Sequence, residues 1–402
     1  MVPQQDVRRQ AQIRGAVALL AVLAVVGAIL GRRALTYNSV EQKHLTAGSE
    51  HFKAGRLAEA ASSWEEALRA APSDPLPYQF LAKVYLENGA PERALPLLKR
   101  LIQLAPNTPE VYSQLAEAIA LSSKGNALEA ARQAVAKEPG SAKAHVLLGI
   151  QLSNQQDHAT AIAELTRATL LAPNDDRIAT SLAQAQLNAA DLAGAEKTAR
   201  GVLKRNPSFT TAWFVLGWAF SRQTPTPENL KEGIAAFEKA LELKPDQLEA
   251  RAELGRLFLG AGQPQKAKEA LETVWMAIKT DTVAFQLSNV YKQLGDTQKA
   301  QEFQKEFERL HTLTTQREAL RKRLSTNPQD VPTATALAKV ELGLDNRDET
   351  AALLEGILQA KPDSTEALEL IVELFKRSGD SARAEEYQKR LSKLRESKEG
   401  RQ

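Results

Sequence analysis

Prolines at a nearly fixed step are the feature that most constrains how this chain of 402 residues can fold. A proline ends or bends a helix, because it lacks a backbone donor and its ring clashes with the preceding turn. Past residue 41, prolines follow alanine- and leucine-rich segments at steps of 34, 33, 34, 34 and 38 residues, and the last two are again 34 residues apart. These prolines are Pro72, Pro106, Pro139, Pro173, Pro207, Pro245, Pro328 and Pro362. Such a period predicts stacked repeats in which each proline ends the second of two helices.

Small residues recur inside each period, where the two helices would cross. A leucine followed by a small residue falls in the first helix, as in Leu148-Gly149 and Leu254-Gly255. Axes about 8–10 Å apart leave no room for a large side chain at the contact. The second helix supplies Ala60, Ala94, Ala161, Ala195, Ala267 and Ala300, and the turns between helices supply Gly55, Gly89, Gly262, Gly295 and Gly379. We expect these glycines to adopt positive φ.

Composition supports an all-α fold and excludes several kinds of site. Aromatic residues make up only 5% of the chain, which suits close helix packing better than a β-sandwich. Cysteine is absent, which excludes disulfides, thiolate metal sites and cysteine nucleophiles. The net charge is +3, and the basic excess lies within residues 1–40, which leaves the rest nearly neutral. We therefore expect no nucleic-acid partner, since such binders usually carry a basic surface.

Residues 15–31, GAVALLAVLAVVGAILG, are uncharged and long enough to predict a single transmembrane signal-anchor helix. The alternatives are a cleavable signal peptide, with Val26-Gly27-Ala28 as its cleavage site, and a buried soluble helix. Residues 1–14 form a short basic tail and residues 32–40 a linker. Arginines in the tail favour a repeat array on the periplasmic or extracytoplasmic side.

The segment "AWFVLGWAF...IAAFEKALELKP", residues 212–245, resembles the tetratricopeptide repeat family. The family pattern is met by Trp213, Leu216, Gly217, Phe220, Phe237, Ala240 and Pro245. The resemblance implies an all-α solenoid of helix-turn-helix repeats that winds as a right-handed superhelix. Repeats are expected to start near residues 41, 75, 109, 142, 176, 210, 248, 281, 331 and 365.

The register breaks once, which predicts two arrays. Residues 41–314 hold about eight repeats, residues 315–330 a linker or cap, residues 331–398 two further repeats, and residues 399–402 a tail. The segment "GDTQKAQEFQKEFERL" before the break echoes "GDSARAEEYQKRLSKL" near the end of the chain, as expected for two polar terminal helices. The alternative is one continuous superhelix with a long helix at 297–325.

Motifs for catalysis are absent. The five histidines show no metal-ligand spacing, and there is no phosphate loop or nucleophile elbow. We therefore expect no enzyme, metal site or cofactor. The resemblance instead implies partner binding on the concave face, which the first helices line. The residues expected there are Thr180, Gln184, Asn188, Phe214, Trp218, Arg256, Phe285, Asn289 and Lys292.

Two interpretations of this face stay open. The aromatic residues Phe214 and Trp218 either contact a ligand or pack against the next repeat. The function expected is a membrane-anchored scaffold or adaptor that binds proteins or peptides during assembly of envelope complexes. The alternative is a regulatory or structural subunit of a membrane-associated enzyme complex, for polysaccharide synthesis or export or for cytochrome maturation.

Overall fold

A computed structural model describes residues 39–399 of the chain, apart from Pro109 and Lys124. The predicted basic tail and the predicted anchor at 15–31 lie outside the described residues, as does most of the predicted linker. Within the described part, no helix combines the length and the apolar character that crossing a membrane requires.

The described residues form twenty α-helices and no strand. The helices are α1 (Ser39–Lys53), α2 (Leu57–Ala70), α3 (Pro75–Glu87), α4 (Pro91–Leu104), α5 (Val111–Ser122), α6 (Ala127–Lys137), α7 (Ala142–Asn154), α8 (His158–Leu171), α9 (Asp176–Asn188), α10 (Leu192–Arg205), α11 (Thr210–Ser221), α12 (Pro227–Leu243), α13 (Leu248–Gly260), α14 (Pro264–Ala277), α15 (Asp281–Gln293), α16 (Thr297–Thr326), α17 (Val331–Gly343), α18 (Arg347–Ala360), α19 (Thr365–Ser378) and α20 (Ser381–Glu399). Odd-numbered helices are the first and even-numbered helices the second members of successive pairs. The predicted all-α helical repeat is therefore confirmed.

The repeated prolines end second helices, as predicted. Each of the eight lies two residues after a helix end, as with Ala70 and Pro72 or Ala360 and Pro362. The residue between them leaves the helical conformation, with φ −138° and ψ 78° at Ala71. The residue before a proline is disfavoured in the α conformation, so the last helical residue lies two positions before the proline.

The same prolines have a second role that the sequence did not reveal. In several repeats the proline carbonyl accepts a hydrogen bond from the side chain six residues later. The pairs are Tyr78 with Pro72 at 2.9 Å, Trp213 with Pro207 at 2.8 Å and Arg251 with Pro245 at 2.7 Å. These bonds fasten the loop after a second helix to the first helix of the next repeat.

Small residues lie at the helix crossings. A Cβ on Gly149 would be 2.6 Å from Leu165 Cγ, and one on Gly255 would be 2.5 Å from Leu271 Cγ. The six alanines predicted in the second helices are all at most 3% exposed. Both observations confirm that these helix pairs have a small residue at their contact.

The turns inside the pairs share one backbone conformation. The five predicted turn glycines have φ between +67° and +78°. The same turn position in other repeats holds Gln156, Ala190 and Asp345, at φ 64°, 59° and 60°. The left-handed turn is therefore kept where no glycine is available, at a cost in conformational energy.

The chain divides into two compact units, an N-terminal unit that extends to Val215 and a C-terminal unit that begins at Leu216. In the N-terminal unit the first helices α3, α5, α7 and α9 contact each other in succession, beside their second helices. In the C-terminal unit α13 contacts α15, and α17 contacts α19, in the same way. Each unit is thus a helical repeat solenoid with its first helices side by side.

One helix departs from the repeat. Helix α16 has 30 residues, whereas α14 has 14. Residues 315–326 of the predicted linker or cap are therefore helical, as in the alternative with a long helix at 297–325. Arg321 Nη2 fastens this extension by donating to the buried Glu341 Oε1 at 2.9 Å and to Glu349 Oε1 at 2.6 Å.

Candidate functional site

A groove of about 900 Å³ lies in the N-terminal unit, at the N-terminal ends of α5, α7 and α9. These are the first helices of three consecutive repeats. The residues that give the groove its chemical character are Glu117, Lys143, Val146, Arg177, Ile178 and Ser181. The groove combines both signs of charge with aliphatic side chains.

Helical spacing explains why these side chains share one surface. Lys143, Val146 and Ile150 follow each other by three and four residues on α7, so they lie on one stripe. The opposite side of the same helix buries Leu148 and Gly149 against the second helix. On α9 the spacing of three and four recurs at Arg177, Ser181, Gln184 and Asn188.

The charges of the groove are unequally paired. Lys143 Nζ lies 2.6 Å from Glu117 Oε2 and so links α7 to α5. The Arg177 side chain is 86% exposed, and its Nε is 3.8 Å from Asp175 Oδ1. Asp175 is already the N-cap of α9, where its Oδ1 accepts from the backbone N of Arg177 and of Ile178 at 2.9 and 3.3 Å. Arg177 is therefore well placed to meet an anionic group of a ligand.

One acidic residue of the groove has a structural task. The Glu138 carboxylate accepts hydrogen bonds from the backbone N of Tyr112 and Ser113 at 2.9 and 3.3 Å, and also from the Ser113 hydroxyl. Glu110, the N-cap of α5, has φ 60° and its side chain makes no capping bond. Glu138 thus supplies the negative group that a helix N-terminus favours.

The residues predicted on α9 differ in their exposure. Gln184 and Asn188 are exposed, and Gln184 Nε2 donates to Asn188 Oδ1 at 3.1 Å. Asn188 Nδ2 in turn donates to Ser153 Oγ on α7 at 3.3 Å. Thr180 is only 5% exposed, and its hydroxyl donates to two carbonyls of its own helix at 2.9 Å. The amides therefore extend the groove surface, whereas Thr180 is engaged within the helix. Phe214, also in the N-terminal unit, is half-buried.

Two residues predicted in the C-terminal unit are engaged in its own packing. Trp218 meets Phe237 edge to face at 6.2 Å, and the Arg222 guanidinium lies 4.7 Å from the centre of its ring. Arg256 donates from Nε to Glu253 Oε2 and from Nη2 to the carbonyl of Ser221, both at 2.9 Å. Both of these Trp218 contacts lie within its own repeat, because Phe237 is on the paired helix α12 and Arg222 is in the turn before it. Packing of Trp218 against the next repeat and a ligand role both stay predictions.

The other three predicted residues form a stripe on α15. Phe285 is 46% exposed, Asn289 is half-buried and Lys292 is exposed. Four of the nine predicted residues thus lie in the N-terminal unit and five in the C-terminal unit.

Sequence reasoning missed Lys143 and Arg177. The first concave-face positions expected on α7 and α9 are Val146 and Thr180. Lys143 and Arg177 lie three residues, or about one helical turn, before them. The available signal was their helical spacing, since Lys143 precedes Val146 by three residues and Arg177 precedes Gln184 by seven. In the described residues no three potential ligands come together to hold a metal ion.

Comparisons with known proteins support the repeat assignment. Three family models described as tetratricopeptide repeat match the chain, one at residues 51–119 and 227–289, one at 180–247 and one at 282–310. None of the curated proteins compared with the chain matches it.

Several solved structures are similar in fold. The human IFIT1 dimer with PPP-AAAA is 17% identical, with a TM-score of 0.49 over 88% of this chain and 87% of that chain. TTC0263, a thermophilic TPR protein of Thermus thermophilus, is 20% identical, with a TM-score of 0.35 over 50% of this chain and 100% of its own. YrrB, described as a TPR protein with an unusual peptide-binding site, is 20% identical, with a TM-score of 0.39 over 47% and 96%. Over the segments that the family models match, the chain is similar to the tetratricopeptide repeat family.

Proposed function

We propose that this protein is a scaffold or adaptor that binds a partner peptide or protein segment in the groove of α5, α7 and α9. Tetratricopeptide repeats generally mediate protein–protein or peptide binding. The observation that carries the proposal is the groove itself, where three first helices surround about 900 Å³ of open space. This volume is within the usual range for ligand sites.

The surface chemistry of the groove favours an extended segment with one acidic and one or two aliphatic side chains. Val146 and Ile178 line the groove. Ile150 lies four residues after Val146 on α7 and Leu121 four residues after Glu117 on α5, and they are 40% and 59% exposed, so a ligand that extends beyond the groove would cover both. Arg177 offers a guanidinium, which pairs well with a carboxylate. The amides of Gln184 and Asn188 have donors and acceptors suited to a peptide backbone.

Peptides selected from a random library on the purified protein test this proposal. We expect the selected peptides to combine aliphatic and acidic residues, and Ile150→Glu and Arg177→Glu to weaken their binding by about ten-fold each. Leu170→Glu is the matched control, because Leu170 is 68% exposed on the second helix α8. Equal binding by all three variants would contradict the proposal.

We further propose that residues 15–31 anchor the protein in a membrane, with the repeats on the extracytoplasmic side. Support comes from the uncharged sequence of that segment and its flanking arginines. Anchoring would raise the effective concentration of membrane-bound partners, as assembly of envelope complexes requires. Replacing three apolar residues of the segment with lysine is expected to release the protein from membranes during alkaline extraction. Retention of that variant in the membrane fraction would contradict the anchor.

The proposed role is binding without catalysis. We expect partner recruitment in cells to be lost when Arg177 and Ile150 are both replaced, with no change in small-molecule turnover by the purified protein. A fixed stoichiometric complex with one membrane enzyme would instead favour a subunit of that enzyme.

A further inference from the structure

The helix pair α5–α6 has the smallest buried side chains of the ten pairs. Among the described residues it is the one pair that buries no leucine, isoleucine or aromatic side chain. Its largest buried apolar residue is Val111, and its other buried apolar residues are alanines. The pair before it buries Leu81 and Leu98, and the pair after it buries Leu148 and Leu165, all at most 6% exposed. Since burial of apolar area is the main stabilising contribution to folding, α5–α6 has the weakest core of its own.

The pair also contributes little to the cores on either side of it. In the cluster that α3 and α4 form, its buried members are Val111 and Ala118. In the cluster that α7 and α8 form, they are Ala116, Ala131 and Ala134. Its larger apolar residues on these sides are only half-buried, namely Leu115, Ile119, Leu128 and Val135. A repeat in a solenoid is stabilised by itself and by its two neighbours, so α5–α6 is weakly held on both sides as well.

Both ends of α5 have a left-handed backbone conformation at residues other than glycine. Glu110, the N-cap, has φ 60°, and Ser123, which follows the helix, has φ 53°. This conformation costs energy that glycine would avoid. No other helix of the described residues is flanked by two such residues. The closed state of α5 therefore contains strain that unfolding of the helix would release.

Two further features weaken the pair. Helix α6 has 11 residues and is the shortest of the twenty described, and helices this short are marginal without strong packing. On α5, Gln114 is only 7% exposed, and its side-chain Oε1 accepts no hydrogen bond. A buried carbonyl oxygen without a partner is destabilising, and water hydrates it once the helix opens.

We propose that α5 and α6 unfold together as a local unit while the pairs on either side stay folded. Local opening occurs most readily where few buried apolar contacts oppose it. Opening removes α5 from the groove of α5, α7 and α9, and it separates Glu117 from Lys143, whose charged atoms lie 2.6 Å apart in the closed state. The groove is then complete only when the pair is closed, so a ligand that contacts Glu117 selects the closed state. This consequence for ligands rests on the proposed function, whereas the opening itself does not.

The absence of cysteine from the chain lets single introduced thiols report the opening. Ala82, Ala116 and Ala183 occupy the same position of the repeat in α3, α5 and α9, and each is at most 1% exposed. Each is replaced by cysteine in the full-length protein, and labelling by N-ethylmaleimide is followed by mass spectrometry. We expect Ala116→Cys to react about ten-fold faster, or more, than Ala82→Cys and Ala183→Cys. Because these controls lie on both sides of α5, fraying from one end of the unit would not produce this order.

Relief of the strain at the ends of α5 gives a second test. Glu110→Gly and Ser123→Gly together are expected to slow the labelling of Ala116→Cys by about ten-fold, because the closed state is stabilised. Ala190→Gly is the matched control, since it relieves the same strain in the turn between α9 and α10 and should leave this rate unchanged. Hydrogen exchange of the unchanged protein measures the opening without any thiol. The amides of α5 and α6 are expected to exchange faster than those of both flanking pairs.

Several results would overturn the proposal. They are equal labelling rates at the three positions, a slower rate at position 116, no effect of the two glycine substitutions, or an equal effect of Ala190→Gly. Exchange in α5 and α6 that is no faster than in both flanking pairs would also overturn it. If a cysteine variant changes the far-UV circular dichroism spectrum, hydrogen exchange of the unchanged protein decides alone. All these measurements are made without a ligand, so they decide the opening even if the groove binds no peptide.

Discussion

A pair of glycine-to-alanine substitutions tests whether helix crossings determine this fold. Gly255 lies in α13, where an added Cβ would be 2.5 Å from Leu271 Cγ and 2.9 Å from its Cδ2. Leu271 is fully buried, so its side chain has little room to move. Gly356 lies in α18 of the same unit, and an added Cβ there would meet nothing within 4 Å. The two substitutions therefore change helix propensity alike and differ in packing.

Alanine gains up to about 1 kcal/mol over glycine inside a helix at both sites. At Gly255 this gain is opposed by overpacking, which costs about 1–3 kcal/mol. We therefore expect Gly356→Ala to raise the free energy of unfolding by about 0.5–1 kcal/mol, and Gly255→Ala to lie about 1–3 kcal/mol below it. Urea unfolding followed by far-UV circular dichroism measures both differences. A Gly255→Ala protein as stable as the Gly356→Ala protein would refute the argument from close helix contact.

Further substitutions test three local features. Ala190 has φ 59°, so Ala190→Gly should raise the free energy of unfolding by about 0.5–1 kcal/mol. Gly262 has φ 67°, so Gly262→Ala should lower it. The urea midpoint measures both changes. Glu138→Ala should cost about 1 kcal/mol through loss of the α5 cap, and Glu138→Gln should cost less because it keeps an acceptor; equal losses would refute the capping role. Burial, and then the hydrogen bond to Glu65, raise the pKa of the Tyr85 phenol to about 12. Because this pKa lies above the ordinary value of about 10, the unfolded chain loses the phenol proton before the folded protein does as the pH rises. The free energy of unfolding is therefore unaffected below about pH 10 and falls as the pH rises toward 12. Tyr85→Phe should flatten that loss in urea midpoints measured along the pH axis, and an unchanged slope would contradict it.

The repeat itself could be predicted from the sequence because its constraints are local. A proline stops a helix wherever it occurs, so Pro72 and its equivalents located the ends of second helices. The space for a side chain at a helix crossing is limited by the paired helix of the same repeat. Gly149 and Gly255 were therefore identified correctly. Steric rules of this kind need no knowledge of distant contacts.

The candidate site was harder to predict because it depends on what neighbouring repeats cover. Thr180 and Phe285 occupy the same position of the repeat, yet one is 5% and the other 46% exposed. Position within the repeat therefore does not determine exposure, which depends on how neighbouring helices pack. Likewise, Glu138 lines the groove but caps α5, a contact between residues 25 apart that no local pattern indicates.

Photo-crosslinking in intact cells tests most directly whether the first helices are the binding surface. A photoreactive amino acid replaces Ile150 on α7 in one strain and Leu170 on α8 in another, since both side chains are exposed in the N-terminal unit. The account predicts one discrete crosslinked partner from position 150, its loss when Arg177 is changed to glutamate, and no such product from position 170. The same partner captured from both positions, or from position 170 alone, would contradict it.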